Sequence, residues 1–275
     1  MKTWFITGAS RGFGLEIARA ALAAGDQVVA TARKPQQLES VLAGDRLLVL
    51  PLDVTDELSI RSAVDRAVQK FTRIDVLVNN AGYGQLGAFE QLSAAAIDRQ
   101  FATNVFGVFA VTRAILPVMR EQRSGHVLTV SSIGGLLSTP GASIYCASKF
   151  ALEGWSEGLS GELKQFDIKA TLIEPGAFRT DFLDATSVLH GDVLIPDYEA
   201  YRKTLQATFD GANYKQPGDP ARLGEVVVAL VQSKEPPVRL AIGTDAYEGV
   251  LTRASRDREL ADEWRSVSVS TDFSE

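Results

Sequence analysis

The sequence predicts an α/β fold: one doubly wound domain spanning residues 1–275, with a mostly parallel sheet of seven strands and helices on both faces. Three observations predict it. Short apolar, β-branched runs alternate with longer helical patterns from end to end. The first run leads straight into a glycine-rich turn and a helix, the opening of a βαβ unit. Later runs end in polar or glycine-closed turns, where open α/β sheets carry their ligands. No internal repeat, low-complexity tract or linker interrupts the alternation.

Composition sets bounds on function. The chain is 45% apolar and 23% charged, with a net charge of -6 and no basic run, which argues against a nucleic-acid surface. No uninterrupted apolar stretch reaches bilayer length; Val226 to Val231 is typical. Lys2 followed by only Trp4, Phe5 and Ile6 makes neither a signal peptide nor an anchor. A single cysteine, Cys146, fits a reducing, cytoplasmic compartment. With one Cys and two distant His (His126 and His190), no protein-built metal site is expected.

The first strand is Trp4–Thr7. Gly8, Ser10, Arg11, Gly12, Phe13 and Gly14 form the turn, and Leu15, Ile17, Ala18, Ala21 and Leu22 give the helical pattern that Gly25 closes. Glycines let backbone approach a pyrophosphate, and the helix N-terminus offers free N–H groups. No Gly-Lys-Ser/Thr follows, which disfavours a phosphate-transfer loop. The arrangement predicts nucleotide binding on a Rossmann-type sheet.

The second strand, Val28 to Ala32, ends without an acid; Arg33 and Lys34 follow. An Asp or Glu there would hold a ribose 2′-hydroxyl, whereas Arg accommodates a 2′-phosphate. NADP(H) is therefore expected over NAD(H), with Arg33, and Arg11 from the glycine turn, at the phosphate. Arg46 to Leu52 is the third strand. Asp53 after it can meet an adenine, while Thr55 or Asp56 caps the helix from Leu58 to Phe71.

Ile74–Val78 is the fourth strand, closed by Asn79, Asn80, Ala81 and Gly82. A helical pattern from Ala94 to Arg120 is interrupted near Asn104, a poor mid-helix residue unless its side chain or a backbone distortion has a use. Pro117 is a second irregularity. His126–Val130, the fifth strand, delivers Ser131 and Ser132 to the same sheet edge.

The next helix, Ser143 to Phe166, carries Tyr145 and Lys149 one turn apart. An ammonium one turn below a phenol favours the phenolate and lowers its pKa from about 10 toward neutrality. A shift of roughly three units is about 4 kcal/mol, so a second positive charge is expected, and an oxidised nicotinamide would supply it. A phenol so tuned exchanges a proton with a ketone or alcohol oxygen. Gly154 and Gly158 on this helix suggest a close packing seam, within the subunit or with a partner.

Lys169–Glu174 is the sixth strand, followed by Pro175 and Gly176. The stretch to Gln216 contains only short runs and is rich in Phe, Leu, Ile and Tyr; about 183–216 reads as a substrate lid. Ala221 to Ser233 is helical, Val238–Ile242 is the seventh strand, and the polar tail is helical to about Trp264.

Together, Thr7-Gly8-x-x-x-Gly12-x-Gly14, Asn79-Asn80-Ala81-Gly82, Asn104, Ser131-Ser132, Tyr145-x-x-x-Lys149 and Pro175-Gly176 resemble the short-chain dehydrogenase/reductase family. The resemblance covers nearly all of the chain to Thr180 and, loosely, the rest. It implies Tyr145 as general acid/base, with Lys149 lowering its pKa and holding the nicotinamide ribose. Ser132, thirteen residues before the Tyr, would orient the substrate carbonyl, and Asn104 would hold a water behind Lys149. Gly8, Gly12 and Gly14 would shape the pyrophosphate turn. Asp53 and Val54 would meet the adenine, and Asn80, Ala81 and Gly82 the ribose side. Pro175, Gly176, Phe178 and Thr180 would seat the carboxamide. Ala30 to Lys34 and the chain length resemble the NADP-preferring branch with retinol- and 17β-hydroxysteroid-type members. The implied activity is hydride transfer between NADP(H) and a small hydrophobic ketone or secondary alcohol by a homo-oligomer. The competing readings are a non-catalytic NADP(H) sensor of the same fold, and a dehydratase or epimerase, for which further acid/base groups are not visible.

Overall fold

A computed structural model describes residues 1–184 and 187–273. Its main sheet has seven strands in the order β3-β2-β1-β4-β6-β7-β9. In chain order the elements are β1 (Thr3–Ile6), α1 (Gly12–Ala23), β2 (Gln27–Ala32), the short α2 (Gln36–Glu39), β3 (Leu47–Pro51), α3 (Glu57–Phe71) and β4 (Val76–Asn79). Then follow β5 (Gly84–Leu86), α4 (Ala94–Phe101), α5 (Gly107–Gln122), β6 (Gly125–Val130), α6 (Ser143–Leu163) and β7 (Ile168–Pro175). The last part comprises β8 (Val188–His190), α7 (Glu199–Ala212), α8 (Pro220–Gln232), β9 (Arg239–Ile242) and α9 (Thr244–Glu263). Every pairing in the main sheet is parallel, so the sheet is wholly, not mostly, parallel.

Parallel strands covered on both faces read as continuous apolar runs. Trp4, Phe5 and Ile6 of β1 are fully buried. One face packs Trp4, Ile6, Val28 and Ala30 against α1 and α8. The other packs Phe5, Val29 and Leu77 against α3, α5 and the end of α6. Gly224 of α8 allows close approach of α1, because a Cβ there would lie 2.6 Å from the Glu16 carbonyl.

Strand order reverses between β1 and β4, and the crevice beyond their carboxyl ends is the ligand position of such sheets. The Gly8–Gly14 turn and the Asn79–Gly82 turn both open there.

Two further features position the site. Residues Ala102–Phe106 form a single π-helical turn joining α4 to α5, which is the backbone distortion expected at Asn104. By length and composition alone the stretch Ala94–Gln122 could cross a bilayer, although its apolar runs are interrupted by Asp98, Arg99, Arg113 and Arg120. Its apolar face is instead spent on the sheet, where Val111, Ile115 and Met119 are fully buried.

The expected lid also departs from the reading as short runs. A two-stranded parallel ribbon pairs β5 with β8, and α7 is a regular 14-residue helix. The ribbon anchors the segment after Thr180 to the body through the buried Gln85 amide, whose Nε2 donates to the Leu189 and His190 carbonyls (3.3 and 3.0 Å). Gly154 and Gly158 do not form an intrasubunit seam: a Cβ at either meets nothing within 4 Å.

Candidate active site

β6 delivers the first hydroxyl. The Ser131 N–H donates to the Ile173 carbonyl (2.8 Å), which continues the ladder one residue past the strand. Ser132 then turns out of the sheet with extended backbone, and its Oγ accepts from the Gly134 N–H (3.0 Å). The Ser132 hydroxyl and the Tyr145 ring meet around Gly134: a Cβ there would lie 3.3 Å from Ser132 Oγ and 3.4 Å from Tyr145 Cε1. Sequence spacing therefore brought together the two groups meant to share a carbonyl oxygen.

Lys149 lies beneath. It is buried, and its Nζ donates to the Val130 carbonyl (2.8 Å) and stands 5.8 Å from the Tyr145 ring centroid. Tyr145 is half-buried, packed with Leu86, Ala142, Cys146, Val188, Leu183 and Phe209. Phe182 tilts over its ring at 5.3 Å.

The apolar surround acts on the phenol of the protein alone, without the nicotinamide charge on which the expected lowering depends. Burial pushes the Tyr145 phenol up to about 12, only partly opposed by the Ser132 hydroxyl and reinforced slightly by Cys146. Burial also pushes the Lys149 ammonium down, to about 8, with Glu153 pulling the other way. Spacing at i,i+4 fixes proximity; desolvation fixes the sign.

Asn104 is buried in the π turn. Its Oδ1 accepts from the Tyr83 N–H (3.2 Å) and its Nδ2 donates to the Tyr83 carbonyl (3.0 Å) and to Ser148 Oγ (3.4 Å). It thus braces the backbone after Gly82 and reaches the residue before Lys149.

The nucleotide side is built from close backbone approach. Gly8 and Gly12 have φ of +64° and +55°, the left-handed region that favours glycine. A Cβ at Gly14 would lie 2.5 Å from Asn80 Nδ2 and 2.6 Å from the Gly8 carbonyl. Arg11, at the N-cap of α1, is extended, and Ser10 precedes it in the turn. Phe13 meets Phe178 edge-on at 5.2 Å, and Gly12 faces Thr180. Thr180 Oγ1 caps the turn that carries Phe182. Arg33 is exposed at the end of β2 and, after the Thr55 hydrogen bonds, helps hold the Asp53 carboxyl below its usual range. Asp53 Oδ1 accepts from the Thr55 N–H and hydroxyl (2.9 and 2.7 Å), while Asp56 caps α3. Val54 is buried against Gly107.

Asn80 is more internal than expected. Its Nδ2 donates to the Thr7 and Gly8 carbonyls (2.9 and 3.0 Å), so it clamps the glycine turn. Ala81 contributes its N–H to Thr7 Oγ1 (3.0 Å), and Gly82 faces Asn104. Pro175 ends β7; the Gly176 N–H donates to the Ile242 carbonyl (3.0 Å), and Asp245 of α9 accepts from the Ala177 N–H (2.6 Å).

Sequence reasoning missed Thr7 as the acceptor hub, Phe182 as the wall over the phenol, and Asp245 beside the Pro175–Gly176 turn. Thr7 adjoins Gly8 and was visible as a polar end to an apolar strand. Asp245 had no local signal. Among the described residues, no cluster of His, Cys, Asp and Glu could hold a metal ion.

The arrangement has known relatives. The short chain dehydrogenase family model matches residues 2–188. An oxidoreductase, BOA17, of Botryotinia fuckeliana is 39% identical over 274 residues, 98% of this chain and 99% of that one. A 3-ketodihydrosphingosine reductase of Bacteroides thetaiotaomicron is 37% identical, covering 86% of each chain. Retinol dehydrogenase 8 of Bos taurus is 37% identical over 88% of this chain and 82% of its own. Among solved structures, a short-chain dehydrogenase from Streptomyces avermitilis superposes with a TM-score of 0.90 at 40% identity, over 99% of this chain and 100% of that one. An alcohol dehydrogenase from Thermococcus sibiricus complexed with 5-hydroxy-NADP has a TM-score of 0.72 at 25% identity, over 88% and 96%. The fold and site define a nicotinamide-nucleotide oxidoreductase. The chain belongs to the short-chain dehydrogenase family.

Proposed function

We propose that this protein is an NADP(H)-dependent oxidoreductase that interconverts hydrophobic ketones and secondary alcohols. The observation that carries this is the Tyr145 ring beside Ser132, above Lys149 and under the apolar Phe182. The glycine cradle, which a single Cβ would obstruct, fits a dinucleotide. Gly8, Ser10, Arg11, Gly12, Phe13 and Gly14 would hold its pyrophosphate, and Arg33 a 2′-phosphate. Asp53 and Val54 would meet the adenine; Asn80, Ala81 and Gly82 border the ribose. Pro175, Gly176, Phe178 and Thr180 would seat the nicotinamide. When bound, the cofactor supplies or accepts the hydride.

The remaining chemistry belongs to side chains of this chain. Ser132 donates to the carbonyl oxygen and fixes its place. Tyr145 gives its proton to that oxygen in reduction and takes it back in oxidation. Lys149 adds a cation below the phenol and stabilises the anion left behind.

Phe182 lies over the Tyr145 ring, and Leu183 and Phe209 pack on the same apolar cluster as Tyr145, surroundings that suit an apolar substrate. Segment 183–216 acts as the substrate lid within a single catalytic domain, anchored by β8. The open glycine face of α6, with Phe106 and Phe150 exposed, suits pairing into a homo-oligomer. The lone buried thiol, Cys146, fits a cytoplasmic setting.

The test is a panel of ketones and secondary alcohols of graded chain length, assayed with NADPH and NADP, NADH and NAD. NADPH-linked reduction that improves with chain length is expected. Micromolar NADPH binding without hydride transfer to any compound would favour the sensor reading.

A further inference from the structure

Glu153 is a buried acid with no part in the chemistry above. It lies on α6 one turn past Lys149 and two past Tyr145, 7% exposed. Its Oε1 accepts a short hydrogen bond from Ser131 Oγ, the residue beside Ser132. Its Oε2 pairs with Arg239 Nη2 from β9 (3.0 Å), and Arg239 Nε pairs with Glu174 Oε1 from β7 (2.7 Å). Glu174 immediately precedes Pro175 and is 2% exposed. The loop after Ser132 closes on the same contact: a Cβ at Gly135 would lie 2.7 Å from both Glu153 Oε1 and Ser131 Oγ. One carboxyl therefore ties together the strand end carrying Ser132, the helix carrying Tyr145 and Lys149, and, through Arg239, the strand leading to Pro175 and Gly176.

We propose that Glu153 is a positioning residue: through Ser131 it holds Ser132 in place beside Tyr145, with Arg239 fixing the carboxyl. The inference rests on the roles proposed above for Ser132 and Tyr145. The charged groups facing Glu153 are Lys149 on its own helix, Glu174 on β7 and Arg239 on β9. Arg239 also feels Glu157. Two buried acids share one guanidinium, which is a poor arrangement for stability alone. Burial holds the Glu153 carboxyl well above the usual carboxylate range, and Glu174 adds to this. A glutamine is therefore a close substitute: its amide oxygen still accepts from Ser131.

Four proteins test it: wild type, Glu153→Leu, Glu153→Gln and Ser131→Ala. The readouts are kcat and KM for the best ketone of the panel, the NADPH Kd, and the Ser132 Oγ–Tyr145 Oη separation in crystals. Glu153→Leu and Ser131→Ala should lose about 10- to 100-fold in kcat, as expected when a reacting group is displaced by about 1 Å. In both, the separation should lengthen by about 1 Å relative to wild type, while NADPH affinity stays within about threefold. Glu153→Gln should restore kcat to within about threefold of wild type. Wild-type kcat in Ser131→Ala, or an unchanged Ser132–Tyr145 contact in either disrupting variant, overturns the inference. Should Glu153→Leu fail to fold, Ser131→Ala, which deletes one oxygen, decides alone. Should the wild type reduce no ketone, the functional reading falls, and the crystallographic separation still decides the positioning role.

Discussion

Asn80 and Thr7 hold each other across the crevice between β1 and β4. Asn80 donates from Nδ2 to the Thr7 carbonyl (2.9 Å) and from its backbone N–H to Thr7 Oγ1 (2.9 Å). The same hydroxyl donates to the Val78 carbonyl (3.2 Å). The glycine turn is thus fastened to the end of the neighbouring strand before any ligand arrives, so its N–H groups need little reorganisation on binding.

Removing that clamp should weaken cofactor binding. In Asn80→Ala the Thr7 and Gly8 carbonyls lose their donor, at a cost of about 1–3 kcal/mol for buried acceptors left unpaired. Part of this will appear as stability and part as affinity. We expect the NADPH Kd, read by quenching of protein fluorescence, to rise by about tenfold or more. An unchanged Kd would mean that the turn holds its shape without Asn80.

Cofactor choice is assigned to the end of β2. Arg33 is exposed there, and no acid stands beside it in the strand. Arg33→Ala should weaken NADPH by about 10-fold or more while leaving NADH within about twofold, as expected for one lost charge-assisted contact to phosphate. Equal losses for the two cofactors would remove the 2′-phosphate role.

His126 makes a prediction about acid stability. It is buried at 5% exposure, and its Nε2 lies 2.9 Å from Thr171 Oγ1. That hydroxyl already donates to the Pro237 carbonyl (2.7 Å), so Nε2 carries the proton of a neutral ring. Burial, with Lys169 and Lys2 adding to it, pushes the imidazole down to about 3. A depressed histidine stabilises the fold fully above its unfolded pKa, near 6.5, and loses that contribution as pH falls from there toward 3. The slope approaches about 1.4 kcal/mol per pH unit from this group. Urea unfolding of His126→Gln between pH 6.5 and 4 should show a flatter decline than wild type. Parallel curves would show that His126 does not titrate across this window.

Much of this was legible in the chain. The apolar runs of β1 and β4 are strands buried on both faces, so burial and sequence carry the same signal. Asn104 was visible as a misfit in a helical pattern, and the π turn is the distortion that accommodates it. Tyr145 and Lys149 lie one turn apart because helix geometry is local. The rest depends on partners far along the chain. β5 has three residues and pairs with β8 about a hundred positions later; nothing in Gly84-Gln85-Leu86 announces that. α7 carries an apolar row, Tyr201, Leu205 and Phe209 at helical spacing, but it is short and none of its residues is fully buried. The sign of the Tyr145 shift depends on Leu86, Val188 and Ala142 closing around the ring, a burial that spacing on one helix cannot report. Glu153, Glu174 and Arg239 come from three elements and meet only once the sheet is formed.

In the proposed mechanism Tyr145 passes a proton to and from the substrate oxygen. The most direct measurement of that transfer is single-turnover NADPH oxidation, followed by absorbance with a ketone substrate, in wild type and Tyr145→Phe at matched cofactor saturation. The account predicts NADPH binding within about threefold of wild type. It also predicts a hydride-transfer rate lower by about a hundredfold or more, the usual contribution of a positioned acid. A Tyr145→Phe protein that oxidises NADPH at the wild-type rate would contradict it.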